Sequence, residues 1–130
     1  MKDKFKELTE LWFNKAREDL RWAKTSLNAG FFAGACFIYQ QAAEKSLKAY
    51  LFSKKQSLIK THILPRLLKK CLEFDKDFIA LKEACEILTL YYTEARYPDD
   101  VDTSDFDTEQ KAQEALKLAA EILNLVKTKL

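Results

Sequence analysis

Apolar residues recur every three or four positions through most of this sequence, and this spacing constrains the fold more than any other feature. The first such stripe, opposite polar and charged residues, consists of Leu8, Trp12, Ala16, Leu20, Ala23 and Leu27. This spacing is typical of one face of an α-helix. Residues 78–95 and 112–126 show the same period. Because the 130 residues include only two Gly and two Pro, the turn residues of a many-stranded protein are scarce. The sequence predicts an all-α fold.

Breakers between these patterns predict where the helices end. Gly30 can close the first helix in the left-handed conformation, and the second then continues without a breaker to about residue 53. A basic connector covers residues 54–61. Thr61 could cap a short helix that ends near residue 72, with Pro65 in its first turn, where a missing N–H costs little.

The last two long helices are separated by an Asp-rich connector. Pro98 fixes the end of the fourth pattern, counting the short helix, because it disfavours α conformation at the residue before it. Asp107 or Thr108 can cap the final helix. The prediction is a single domain, residues 1–130, built as an up-and-down bundle of four long helices with a short additional helix in the middle connection.

The second predicted helix is apolar on more than one side. It also contains small residues that let neighbouring helices come close, namely Gly34, Ala35, Ala42, Ala43 and Ala49. We therefore expect it to be a central member of the bundle. Apolar faces this broad also favour a homodimer.

Several classes of protein are disfavoured by composition. The three cysteines are odd in number, have no Cys-x-x-Cys spacing and lie in apolar surroundings, so neither a disulfide framework nor a zinc site is expected. The longest apolar run, residues 31–39, is about half of what a bilayer requires. We expect a cytoplasmic protein with no membrane contact, no metal and no cofactor.

Charge is distributed unevenly along the chain. Residues 45–70 contain eight Lys or Arg and no acid, whereas residues 94–110 contain seven acids and one Arg. Clustered cations attract nucleic acid or an acidic partner, although lysines on a connector are also commonly just solvated.

Polar residues interrupt the second helix in a stripe made of Gln40, Gln41, Glu44, Lys45 and Lys48. Glu44 and Lys48 are four positions apart, in the favourable order for an ion pair. The stripe fits either a solvated face or side chains that line a groove and contact a polar ligand.

A second candidate site is Arg96–Tyr97–Pro98. Arginine's fork of donors suits phosphate, and an aromatic ring beside it can stack on a base. The alternative is an Arg that bonds the last carbonyls of its helix, with Tyr97 packed over the helix end.

The third candidate is His62, the only histidine. A lone histidine fits a packing or capping role as well as a binding one, and catalysis would require a positioned partner. The sequence contains no phosphate-binding Gly-rich loop, His-Glu-x-x-His helix or hydrolytic triad.

Taken together, these residues resemble the HEPN family, named for nucleotide binding in higher eukaryotes and prokaryotes. The resemblance runs over nearly the whole chain. It is carried by Ala16-Arg-Glu-Asp19-Leu20 with Ala23, by Cys36-Phe37, by Gln40-Gln-Ala-Ala-Glu-Lys45 with Lys48-Ala49, by Thr61-His62-Ile-Leu64 and by Tyr92 with Arg96-Tyr-Pro-Asp99. It implies a helical bundle, usually a homodimer, that binds nucleotide or RNA and commonly works beside a small nucleotidyltransferase.

Many members of this family are metal-independent ribonucleases, whose motif is an Arg followed four to six residues later by a His. Here Arg96 is followed by Tyr-Pro-Asp-Asp-Val-Asp, without a histidine. We therefore expect a non-enzymatic accessory subunit of a nucleotidyltransferase, as in a toxin–antitoxin type of pair. Its predicted nucleotide- or partner-binding residues are Gln41, Glu44, Lys48, His62, Arg96 and Tyr97. The alternatives are a ribonuclease toxin and a structural helical adaptor.

Overall fold

The computed structural model describes residues 3–92 and 107–130, and every regular element in these two stretches is helical. In chain order they are α1 (Lys4–Asn28), α2 (Phe32–Ser53), α3 (Leu64–Leu72), a 3₁₀ helix (Lys76–Leu81), α4 (Lys82–Leu88) and α5 (Glu109–Lys129). Residues 90–92 are helical again after a turn at Thr89. The all-α prediction is confirmed. The end predicted at Pro98 lies outside the described residues.

Local capping explains where the long helices begin and end. The side chain of Asp3 accepts the N–H groups of Phe5 and Lys6 at the start of α1. Gly30 adopts the predicted left-handed conformation, with φ of 88°, just after α1 ends. Thr108 caps α5 by accepting the N–H of Lys111, as one of the two predicted caps.

The short helix α3 begins later than the sequence predicted. Its N-cap residue is Ile63, whose side chain offers no acceptor, and Pro65 is its second residue. The prediction of Thr61 as cap was therefore wrong. The Thr61 hydroxyl instead accepts the N–H of Ile63 at 3.2 Å, in a turn that precedes the helix.

Helix α2 lies at the centre of an up-and-down bundle. It packs along α1 and also against α5 and α3, so its side chains are buried almost all round. Asp107 accepts the N–H of Ala33, which places the starts of α2 and α5 at one end. At the other end Lys129 pairs with Asp75, just before the 3₁₀ helix. The 3₁₀ helix and α4 therefore return antiparallel to α2 and α5.

Two details of packing differ from expectation. Gly34 is exposed, and a Cβ added there would meet no atom within 4 Å, so it does not mediate a close helix contact in this chain. The fourth pattern places Phe78, Leu81, Cys85 and Leu88 in the core as predicted, but its first turn is a 3₁₀ helix. Asp75 caps that turn by accepting the N–H of Asp77.

The length and polarity of the helices bear on membrane insertion. Among residues 3–92 and 107–130, none of the helices combines the length with the hydropathy needed to cross a bilayer.

Candidate functional site

A pair of opposite charges lies inside the bundle on the central helix. The Glu44 and Lys48 side chains are only 5% and 6% exposed, and Lys48 Nζ lies 3.0 Å from Glu44 Oε2. Burying an unpaired charge is strongly unfavourable, so each of these groups depends on the other. The solvated-face interpretation of the stripe is therefore wrong for Glu44 and Lys48.

Two glutamine side chains complete the hydrogen bonding around the pair. Gln40 is fully buried, and its Nε2 donates to Glu44 Oε1 at 3.3 Å and to the backbone carbonyl of His62 at 3.1 Å. Its Oε1 accepts from Gln41 Nε2 at 2.6 Å. Gln40 thus ties the connector that carries His62 to helix α2.

His62 is fixed against the buried carboxylate. Its Nδ1 lies 3.0 Å from Glu44 Oε1 and 3.2 Å from Oε2. Since a carboxylate paired with Lys48 can only accept, Nδ1 carries the proton and donates. A carboxylate bound in this way sets both the orientation and the tautomer of the imidazole. The His62 side chain is nevertheless 51% exposed.

An aromatic stack holds the other side of the histidine ring. The rings of His62 and Tyr92 are nearly parallel, at 12°, with centroids 4.4 Å apart. Tyr92 also contacts Phe37 of α2, at 6.0 Å between centroids. Nδ1 and one ring face are therefore occupied, while about half of the side chain remains exposed.

The turn at Thr89 helps to bring these rings together. The Thr89 hydroxyl accepts the N–H of Leu64 at 3.0 Å. This bond joins the start of α3, two residues after His62, to the helical segment that carries Tyr92. The stack is therefore anchored to α2 through Glu44 and Gln40 and to α4 through Thr89.

Lys48 extends the network toward α1. Its ammonium group lies 5.8 Å from the centroid of the Trp12 ring, and Trp12 contacts Phe52 with centroids 5.6 Å apart. A cation over an indole face is stabilised by the ring quadrupole. The lysine thus has both a carboxylate and an aromatic partner inside the bundle.

Some of the cations of residues 45–70 pair with acidic side chains from other parts of the chain. Lys45 pairs with Asp19 of α1 at 2.5 Å, and Lys70 pairs with Glu73. Lys60 and Arg66, which flank His62 in sequence, are exposed. Neither of these two forms an ion pair within the parts of the chain that the structure describes.

The structure brings four of the six predicted binding residues into one network, namely Gln41, Glu44, Lys48 and His62. Arg96 and Tyr97 lie outside the described residues. The sequence placed Tyr92 on the apolar stripe of the fourth pattern and in the family resemblance, but not among the binding residues. It placed Gln40 in the polar stripe but not among the binding residues, although Gln40 is one turn before Glu44 on the same face.

Other reactive groups offer no alternative centre among the residues described. No three or more His, Cys, Asp or Glu side chains of residues 3–92 and 107–130 come together in a way that could hold a metal ion. Burial raises the pKa of each cysteine thiol to about 12, so these thiols are protonated at neutral pH.

Comparison with known proteins identifies the family. The family model of the HEPN domain matches residues 9–129, which is most of the chain. The chain belongs to the HEPN family. The resemblance inferred from the residues is thereby confirmed.

Two solved HEPN-like structures are similar over almost their whole length. TT1696 from Thermus thermophilus is 37% identical, with a TM-score of 0.82, over 94% of this chain and 98% of the other. ST0689, an archaeal HEPN homologue, is 29% identical, with a TM-score of 0.74, over 92% of this chain and 95% of the other. No protein of curated function matches significantly.

Proposed function

We propose that this HEPN protein binds nucleotide or single-stranded nucleic acid on the exposed face of His62, as a non-enzymatic accessory subunit of a small nucleotidyltransferase. The observation that carries the proposal is the His62–Tyr92 stack, in which the buried Glu44 holds the Nδ1 edge of the histidine ring. A prearranged ring loses little entropy when a base stacks on it, and such stacking is worth about 1–3 kcal/mol per base.

The charges around the stack suit a phosphate-bearing ligand. Glu44 would repel a phosphate if it were exposed, but it is buried and compensated by Lys48 at 3.0 Å. Lys60 and Arg66 supply exposed positive charge two residues before and four residues after His62. An aromatic surface combined with nearby cations is what single-stranded nucleic acids use, and these two cations are the exposed ones nearest to His62 in sequence.

Fluorescence anisotropy with a labelled single-stranded RNA tests this proposal. His62→Gln removes the ring, whereas His62→Phe keeps a ring over Tyr92 but loses the bond to Glu44. We expect His62→Gln to weaken binding by roughly tenfold, the equivalent of about 1.4 kcal/mol for one lost stacking contact, and His62→Phe to bind more tightly than His62→Gln.

Trp22→Ala is the matched control, because Trp22 is a 62% exposed aromatic residue on α1 outside the network. Its affinity for RNA should stay within about twofold of the unmodified protein, a change below about 0.5 kcal/mol. Equal losses in Trp22→Ala and His62→Gln would contradict a site at His62. Full RNA affinity in His62→Gln, with partner binding intact, would favour a structural adaptor.

The protein partners in this proposal rest on family membership alone. We propose a homodimer and a complex with a small nucleotidyltransferase, as in a toxin–antitoxin type of pair. The apolar surface of α2 that suggested a dimer is covered by α1, α3 and α5 of the same chain. A sedimentation mass of one chain at micromolar concentrations would exclude the dimer, and titration with a cognate transferase tests the complex.

A ribonuclease is the second candidate function, and the Glu44–His62 pair is the observation that favours it. An oriented histidine with an exposed edge can act as a general acid or base. Incubation of RNA with the purified protein and a chelator distinguishes the two functions. Cleavage that is lost in His62→Phe, while RNA binding persists, would establish the nuclease. RNA that stays intact in the presence of bound protein would exclude it.

A further inference from the structure

A second concave surface lies at the other end of the bundle. It is a groove of about 620 Å³, formed by the first four turns of α1 and the C-terminal ends of α2 and α5. Pockets that hold small molecules are typically about 300–1,000 Å³. Lys54 at this end is ten residues beyond Glu44 on α2, so the groove is separated from the His62 site by about 15 Å of helix.

Positive side chains dominate the groove. Five Lys or Arg side chains and two side-chain carboxylates line it. One carboxylate, Asp3, already accepts two N–H groups of α1, and one cation, Lys129, already pairs with Asp75 and Asp77. The cationic side chains that remain are Lys6, Arg17, Lys54 and Lys55, and the remaining acidic side chain is Glu10. A cleft lined by one sign of charge concentrates its field and attracts the opposite charge.

The remaining cations of the groove are not neutralised by acidic side chains of the chain. Lys6, Lys54 and Lys55 form no ion pair within residues 3–92 and 107–130. Aromatic rings hold two of the positive groups instead, since Lys54 lies 5.5 Å from the Tyr50 centroid and Arg17 lies 5.2 Å from the Phe13 centroid. A cation over a ring keeps its full charge for a ligand.

The backbone conformation at the end of α2 fixes the position of Lys55. Its φ is 59°, in the left-handed region that favours glycine. The N–H of Lys55 donates to Phe52 O at 2.9 Å, and the N–H of Gln56 donates to Leu51 O at 3.1 Å, which closes α2. Any residue other than glycine is unfavourable at this φ, yet the residue here is a lysine, and its side chain lines the groove.

We propose that this groove is a second ligand site, specific for an anion that carries two or more phosphate charges, and independent of the His62 site. Lysine ammonium groups act as point charges toward phosphate, and the Arg17 guanidinium adds planar donors. The excess of three unpaired cations over Glu10 fits a polyvalent anion better than a monovalent one.

Calorimetric titration with sodium pyrophosphate at low ionic strength tests the proposal. The test variant is Lys6→Gln with Lys55→Gly, and the control is Lys69→Gln with Lys117→Gln. Each pair of changes removes two exposed lysine charges, but Lys69 and Lys117 neither line the groove nor belong to the His62 site. Lys55→Gly places glycine where φ favours it, so weaker binding cannot be attributed to misfolding.

We expect saturable binding of pyrophosphate that the groove variant weakens by about tenfold or more, while the control stays within about twofold. Equal losses in both variants would show non-specific attraction and overturn the proposal. So would the absence of saturable binding by the unmodified protein up to about 10 mM. His62→Gln should bind pyrophosphate as tightly as the unmodified protein does. A failure of the groove proposal can therefore be distinguished from a failure of the His62 proposal.

Discussion

Replacement of Lys48 by methionine should strongly destabilise the bundle, because it leaves Glu44 as a buried charge without its cation. Lys48 and Glu44 are 6% and 5% exposed and 3.0 Å apart. Removing one partner of a buried pair costs about 3–5 kcal/mol. Gln40 and His62 still donate to the carboxylate, so we expect the lower end, about 3 kcal/mol.

This loss is large enough to measure by thermal unfolding. With an unfolding entropy of about 2.1 cal/mol/K per residue over the chain, about 3 kcal/mol lowers Tm by about 11 °C. Circular dichroism at 222 nm follows the transition. The double variant Glu44→Gln with Lys48→Met removes both charges and should recover at least about 1 kcal/mol relative to Lys48→Met alone.

Lys70→Met provides the matched control, since Lys70 pairs with Glu73 at 2.9 Å on the surface. The two side chains are 39% and 57% exposed, and such pairs contribute less than about 1 kcal/mol. A Tm for Lys48→Met within about 4 °C of the unmodified protein, similar to Lys70→Met, would refute the argument that Glu44 depends on Lys48.

Three further predictions concern other parts of the chain. Lys55→Gly should raise the free energy of unfolding by about 0.5–1 kcal/mol, because the lysine is left-handed, whereas Lys54→Gly should lower it, since Lys54 has φ of −96°; urea denaturation measures both. The buried thiols should react with iodoacetamide at pH 8 only on unfolding, because burial raises their pKa to about 12, and rapid labelling of the native protein would contradict this for Cys36, Cys71 or Cys85. Hydrogen bonding from Lys129 lowers the pKa of Asp75 in the folded protein. The stability that this pair contributes is therefore present above the pKa of Asp75 in the unfolded chain, and it is lost as pH falls through the pKa of Asp75 in the folded protein. Below pH 4, the Tm of Lys129→Gln should fall less steeply than the Tm of the unmodified protein.

The helices could be predicted from local signals alone. The period of the apolar residues located α1 and α5, and the unbroken run after Gly30 located α2. Gly30, Pro65 and Thr108 lie where their backbone preferences predict. The 3₁₀ helix before α4 could not be predicted, because its apolar residues fit the same period as an α-helix.

The candidate site could be predicted only as a list of residue types. Glu44 and Lys48 have the spacing of any surface ion pair, and only the packing of other helices around α2 shows that they are buried. The partner of His62 is 18 positions away in sequence, and Tyr92 is a further 30 positions along the chain. Contacts of this range depend on how the helices pack and leave no periodic signal.

The imidazole of His62 reports directly on the central claim that its exposed face binds nucleic acid. Because it is the only histidine, its ring carbon protons give resonances that require no assignment by mutagenesis. We predict that titration with single-stranded RNA shifts these resonances upfield, as a base stacks on the face opposite Tyr92, and that the shift saturates together with binding. Ring resonances that stay unchanged while RNA is bound would contradict the site proposed for this HEPN protein.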